Sequence, residues 1–230
     1  MNMQRRITGT KLPYRPMLEA ELSSGERQRV YAAQRRVHLM ERIRSAHLHA
    51  ASRDVIESKP KQAKWFCLRV EGGREFAVEK LLCDANVETF LPQEKRMLVR
   101  RGKKIVCELP VFPNYMLVRI VPSEEAFDGL KRVKYVADIV GGANGYHVVS
   151  QSHVDVFKQI CNDASAPRIA TDKTISDGDR ADITTGPFAG FMCLVVNVTW
   201  SRQARAKVAI DLDGKVFEIE SMPLAFLKKL

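Results

Sequence analysis

Five histidines, His38, His47, His49, His147 and His153, are the residues best suited to proton transfer or metal ligation near neutral pH. Their spacing supports neither. No HExxH pattern occurs, and His47 and His49, two positions apart in a helical stretch, point to different faces. The five cysteines, Cys67, Cys83, Cys107, Cys161 and Cys193, are odd in number, widely spaced and form no CxxC pair. That pattern argues against a zinc cluster and a disulfide framework. Four of them stand among apolar residues, as small core side chains in a reducing compartment do. The chain has no P-loop, no GxGxxG after a strand and no GxSxG. Gly72-Gly73 sits between a strand and a helix, where phosphate can be cradled, but the signal is weak and a plain βα turn accounts for it far better. The expectation is a binding protein without catalytic residues, metal or cofactor.

Charge points to one class of partner. The 230 residues carry a formal net charge of +10. Residues 1–64 hold 14 Lys/Arg against 6 Asp/Glu, and the remainder is nearly balanced. A polyanion is the natural partner for the basic segment, although a solubilising tail has the same composition. No apolar run is long enough to span a bilayer, and the first fifteen residues are polar and basic, so a cytoplasmic protein without a membrane partner is expected.

The elements that would position any site fall into blocks. Residues 1–63 form a basic, partly helical or disordered extension. Its apolar positions Val30, Ala33, Val37 and Met40 recur at helical spacing among arginines, within a proline-free stretch from Glu19 to about Glu57. Residues 64–162 alternate strand and helix signals. Lys64 to Val70 and Val87 to Leu91 read as strands, and Arg74 to Ala85 as a helix. Arg100-Arg101-Gly102-Lys103 reads as a hairpin tip, Ser123 as the cap of a helix, and Ser150 or Ser152 as the cap of another reaching Cys161. The fold class is an α+β domain with helices on one face of a largely antiparallel sheet. Residues 163–176 read as a linker. Residues 177–230 read as a small all-β barrel: Ala181 and Ile183 alternate with polar residues, Met192, Leu194, Val196 and Val198 form one strand face, and Val208, Ile210 and Leu212 another. Asp213-Gly214 is a strong hairpin signal.

One strand is unusual. In Val111-Phe-Pro-Asn-Tyr-Met-Leu-Val118, Pro113-Asn114 predicts a bend between Phe112 and Tyr115, beyond which Tyr115 and Leu117 share a face. If Met116 and Val118 meet the core, Tyr115 and Leu117 form an exposed apolar patch for a partner; otherwise both faces are covered by helices.

Trp65-Phe66, the run from Phe90 to Lys104 containing Arg-Arg-Gly-Lys-Lys, and Val111 to Val118 together resemble the N-terminal domain of the NusG transcription factors. Gly178-Asp179-Arg180 followed by Gly186-Pro187-Phe188-Ala189-Gly190-Phe191 resembles that family's C-terminal KOW domain, an SH3-like barrel. The Phe-Pro-Asn-Tyr form is similar to the specialised RfaH branch. The first 64 residues lie outside the pattern, Cys193 replaces a glycine, and Asp213 replaces an apolar residue.

The resemblance implies a non-enzymatic, monomeric transcription elongation factor that modulates pausing, termination and antitermination. By it, Trp65, Phe112, Tyr115 and Leu117 would contact the clamp helices of the largest RNA polymerase subunit. Arg100, Arg101, Lys103 and Lys104 would lie near upstream DNA or nascent RNA. Gly186, Pro187, Phe188, Gly190, Phe191 and Leu212 would form the barrel's turn and partner surface, toward a ribosomal protein or termination factor Rho. The alternative is a ribosome- or RNA-associated KOW protein acting away from polymerase, which would not need Tyr115 or Leu117.

Overall fold

Ser23 and Glu26 start the first helix reciprocally. The Ser23 hydroxyl accepts from the Glu26 amide at 3.3 Å, and the Glu26 carboxylate accepts from the Ser23 amide at 2.9 Å. This capping box satisfies two donors that the first turn leaves unpaired. The computed structural model describes residues 22–100, 102–162, 171–200 and 204–230; at 44, 98–100 and 103 only the backbone is described. Helix α1 runs Ser24–His49, shorter than the stretch read from the sequence, whose first residues lie outside those described. The chain divides into two compact units, Met1–Ile43 and Arg44–Leu230. In the first, Val30, Val37, Leu39 and Met40 of α1 remain exposed.

The second unit begins before the boundary drawn at residue 63. After α2 (Arg53–Ser58) come β1 (Lys64–Val70), α3 (Glu75–Asp84) and β2 (Glu88–Phe90). Ala51 and Ile56 are buried, and Ser52 bridges to Val87, so the segment before β1 is part of this domain. Strands β3 (Gln93–Arg100) and β4 (Lys103–Pro110) form a separate two-stranded ribbon, turned at Gly102 with φ 75° as the glycine predicts. Then follow β5 (Tyr115–Ile120), α4 (Glu124–Lys131), β6 (Val136–Ile139), the short strands β7 (Gly141–Gly142), β8 (Gly145–Tyr146) and β9 (Val148–Val149), and α5 (Gln151–Asn162). The predicted caps are present: the Ser123 hydroxyl accepts from Ala126 N at 3.1 Å, and the Ser150 hydroxyl from His153 N at 3.3 Å.

The main sheet runs β2-β5-β1-β6, with β9 also on β1, and every pairing is antiparallel. Phe66 opposite Val118 and Leu68 opposite Met116 face one core with Val78 and Leu82 of α3 and Ala126 and Leu130 of α4. The other face holds Trp65, Cys67, Tyr115 and Leu117. The helices therefore do not all lie on one side. Val154 and Phe157 of α5 pack on this second face.

The rest of the second unit is all-β: β10 (Arg180–Ile183), β11 (Met192–Thr199), β12 (Arg205–Leu212), β13 (Lys215–Pro223) and β14 (Leu227–Lys229), in the order β13-β12-β11-β10-β14. Ala181, Ile183, Val208, Ile210 and Leu212 point inward as their alternation predicts. On β11 the inward residues are Cys193 and Val195, while Met192, Leu194 and Val196 are exposed. A register shift between Val195 and Asn197 then brings Val198 against the core.

Candidate functional site

The strand bend at Pro113-Asn114 is where the site is assembled. Asn114 adopts φ 72°, a left-handed conformation that asparagine tolerates. Its amide donates to the Glu75 carboxylate at 2.9 Å and its carbonyl accepts from Val70 N at 2.7 Å. Glu75 is buried at the start of α3. These bonds fix Phe112 before the bend and Tyr115 after it, so that both rings enter the same cluster. Trp65 joins from β1. Its indole N–H donates to Gln151 Oε1 at 2.8 Å, and the Lys158 ammonium lies 4.6 Å from its ring centroid. Leu117 completes the face. Trp65, Phe112, Tyr115 and Leu117 are thus brought together as the sequence reading grouped them, but each is at most 2% exposed. Neither sequence alternative describes this. One face of β5 is covered by helices, and the other by α5 together with the barrel.

The barrel's contribution comes from its predicted turn. Phe188 meets Tyr115 edge-on with centroids 5.1 Å apart, and Phe112 packs between Phe188 at 6.3 Å and Phe226 at 5.9 Å. Gly186 has φ 97°, and a Cβ there would stand 2.6 Å from the Phe112 ring. Only glycine gives both the backbone conformation and the clearance. Pro187 is buried beside it, Gly190 is exposed, and Phe191 lies 4.5 Å from the His147 ring. Burial, with the nearby His153 charge, holds the His147 imidazole below its ordinary value. Leu212 is buried in the barrel core rather than presented at a surface.

Polar bonds fasten the rim. Arg205 on β12 is 8% exposed. One terminal nitrogen donates to Glu94 Oε1 on β3 at 2.8 Å, the other to the Val111 carbonyl at 2.5 Å, and its Nε to the Ser221 hydroxyl at 2.5 Å. Burial pulls this guanidinium down to about 10, against the pull of Glu94. Glu94 also pairs with Arg96. Tyr115 donates its hydroxyl to the Glu218 carbonyl at 2.9 Å, and burial pushes its phenol far up. At the other end Asn144 donates to Asp213 Oδ2 at 3.0 Å and Lys215 pairs with Asp138. Despite its burial, Asp138 is held below the usual carboxylate range by Lys215 and the Ile139 amide. Gly142 lies so close to the 213–214 hairpin that a Cβ would stand 2.6 Å from Asp213 Cβ.

The sequence reading placed Phe157 on the inward side of its helix, as found, but missed Glu75, Glu94, Arg205 and Phe226. Of the basic hairpin set, Lys104 is exposed, Arg101 lies outside the described residues, and only the backbone of Arg100 and Lys103 is described. Among the described residues no group of His, Cys, Asp or Glu could hold a metal, all five cysteines are free, and no helix is long and apolar enough to cross a membrane. The chemistry suits recognition more than catalysis: a broad apolar face with aromatic anchors, closed by a polar rim.

Residues 63–158 match the family model described as Transcription termination factor nusG. The chain is 24% identical over 168 residues to a Transcription termination/antitermination protein NusG of Neisseria meningitidis, covering 68% of this chain and 93% of that protein. A protein of the same name from Pasteurella multocida is 26% identical over 168 residues, covering 68% and 90%. Among solved structures, one titled Domain interaction in Thermotoga maritima NusG is 17% identical, covers 74% of this chain and 98% of that one, and superposes with a TM-score of 0.39.

Proposed function

We propose that this chain, which belongs to the NusG family of transcription termination/antitermination factors, binds RNA polymerase through Trp65, Phe112, Tyr115 and Leu117 and does so only after its barrel has moved aside. One observation carries the reading: these four residues form a single apolar face, covered by α5 together with the barrel and met there by Phe188 and Phe226. A face of that size and aromatic content is what docking of an apolar helical surface requires. Its occupant here is held by Phe188, Phe226 and the Arg205 bonds, so polymerase and barrel compete for it. Binding that favours the closed, elongating clamp shifts the enzyme's population toward elongation without chemistry. Once released, the barrel exposes Phe188, Phe191 and the 212–214 hairpin to a ribosomal protein or to Rho. The basic hairpin around Gly102 then lies near upstream DNA or nascent RNA. Since the partner-facing turn is itself engaged in the closed form, we read the chain as a specialised rather than a general member of its family.

Core RNA polymerase retention by the purified full-length protein tests this. Arg205→Ala should retain more polymerase than wild type, and adding Tyr115→Ala/Leu117→Ala to Arg205→Ala should abolish the gain. If the opened variant binds ribosomes or RNA and ignores polymerase, the chain acts away from transcription.

A further inference from the structure

Helix α1 carries a charge pattern that the docking face does not use. It holds six arginines against two glutamates. One glutamate, Glu26, is occupied by the Ser23 cap. Arg27, Gln34, Arg35, His38 and Arg42 follow one another at helical intervals, so they lie along one side. All five are exposed, and Arg35, His38 and Arg42 border one shallow depression with Gln34 and Leu39. Arg27 donates its Nε to the Leu22 carbonyl at 2.9 Å. Glu41 borders the stripe, whereas Arg29, Arg36 and the apolar set Val30, Val37 and Met40 belong to the opposite side.

We infer that this basic side of α1 is a docking surface for duplex DNA, entered through the major groove. A helix of 26 residues is about 39 Å long and, with side chains, roughly 10–12 Å across. The major groove of B-form DNA is about 12 Å wide and admits such a rod, whereas the major groove of duplex RNA is too narrow to be read. The side chains suit the same target. Guanidinium groups neutralise phosphates and match guanine edges, and a glutamine amide matches adenine. Single strands are instead held by rows of stacked aromatic rings, and Tyr31 is the single aromatic residue of this helix. The inference rests on the transcription-factor reading only for its setting. The surface itself is argued from charge and shape.

Fluorescence anisotropy of the full-length protein with a labelled 30-base-pair duplex of mixed sequence, and with single-stranded RNA of equal length, over a salt series is the test. Wild type should bind the duplex at least tenfold tighter than the single strand. Arg35→Ala/Arg42→Ala should weaken duplex binding at least tenfold and flatten the salt dependence by about two units of slope, because two phosphates are no longer neutralised. Arg29→Ala/Arg36→Ala removes the same charge from the other side and should change affinity less than threefold. Alanine favours helix at least as well as arginine, so both variants keep α1, which circular dichroism checks. Equal losses in the two double variants, preference for the single strand, or no duplex binding would each overturn the inference. Polymerase retention without nucleic acid separates it from the function proposed above: retention without duplex binding sinks only this inference, and duplex binding without retention sinks only the polymerase reading.

Discussion

Arg205 is a cation placed where burial opposes its charge, and it is tolerated because each of its nitrogens has an acceptor across or beside the domain boundary. Removing it strands the Val111 carbonyl and leaves Glu94 with Arg96 alone. Arg205→Ala should therefore lower unfolding stability by on the order of 2–3 kcal/mol, read from the urea midpoint, and most of the loss should come from the interface. Gly186→Ala acts on the same boundary from the apolar side. A Cβ at φ 97° and 2.6 Å from the Phe112 ring forces a strained backbone and displaces an aromatic anchor. The expected cost is about 1–3 kcal/mol, with increased access to the covered face, measured by binding of a fluorescent apolar dye. His147 should make folding stability depend on pH. Its depressed value means the unfolded chain takes up a proton, near the ordinary 6.5, that the folded chain resists. Stability from this residue is fully present above that value and falls as pH drops through it. The urea midpoint of wild type should fall more between pH 7.5 and 5.5 than that of His147→Gln, and the two curves should run parallel above pH 7 if the account holds.

At the scale of elements, alternation in a strand says that two faces exist but not which face is inside when both are apolar. On β11, Met192, Leu194 and Val196 compete with Cys193 and Val195, and the register shift after Val195 moves Val198 between the sets. The consequence is testable: Val195→Asp should unfold the barrel, at a cost of several kcal/mol, whereas Leu194→Asp should change stability by less than about 0.5 kcal/mol. Nuclear magnetic resonance line dispersion of the barrel resonances distinguishes the two. The caps at Ser123 and Ser150, the hairpins at Gly102 and Asp213-Gly214 and the bend at Asn114 were legible because each depends on local backbone chemistry. Helix α5 was placed correctly along the chain but not on the correct face of the sheet, since facing is set by contacts far away in sequence.

For the whole molecule, the apolar residues of β5 left two readings open, an exposed Tyr115 and Leu117 patch or helices over both faces, and the strand is buried on both. What it could not name was the cover. Arg205 and Glu94 stand 111 residues apart, and Tyr115 and Glu218 stand 103 apart, with no pattern in either segment that refers to the other. The structure brings the four residues grouped as a docking patch into one cluster, and the same chain covers it. The grouping follows from resemblance and strand parity; the occupancy follows only from tertiary packing. Under the proposed function, an effector that separates the domains would free both proposed partner surfaces at once and so couple polymerase binding to recruitment by the barrel.

Locking that boundary tests the central claim most directly. Asn144 and Asp213, short side chains that already meet at 3.0 Å, can be replaced by cysteines, with the exposed Cys83 changed to serine, and joined by a short thiol cross-linker. Core polymerase retention is then compared before and after cross-linking. Retention by the unlinked protein should be lost on cross-linking, whereas retention undiminished by the lock would show polymerase binding some other surface.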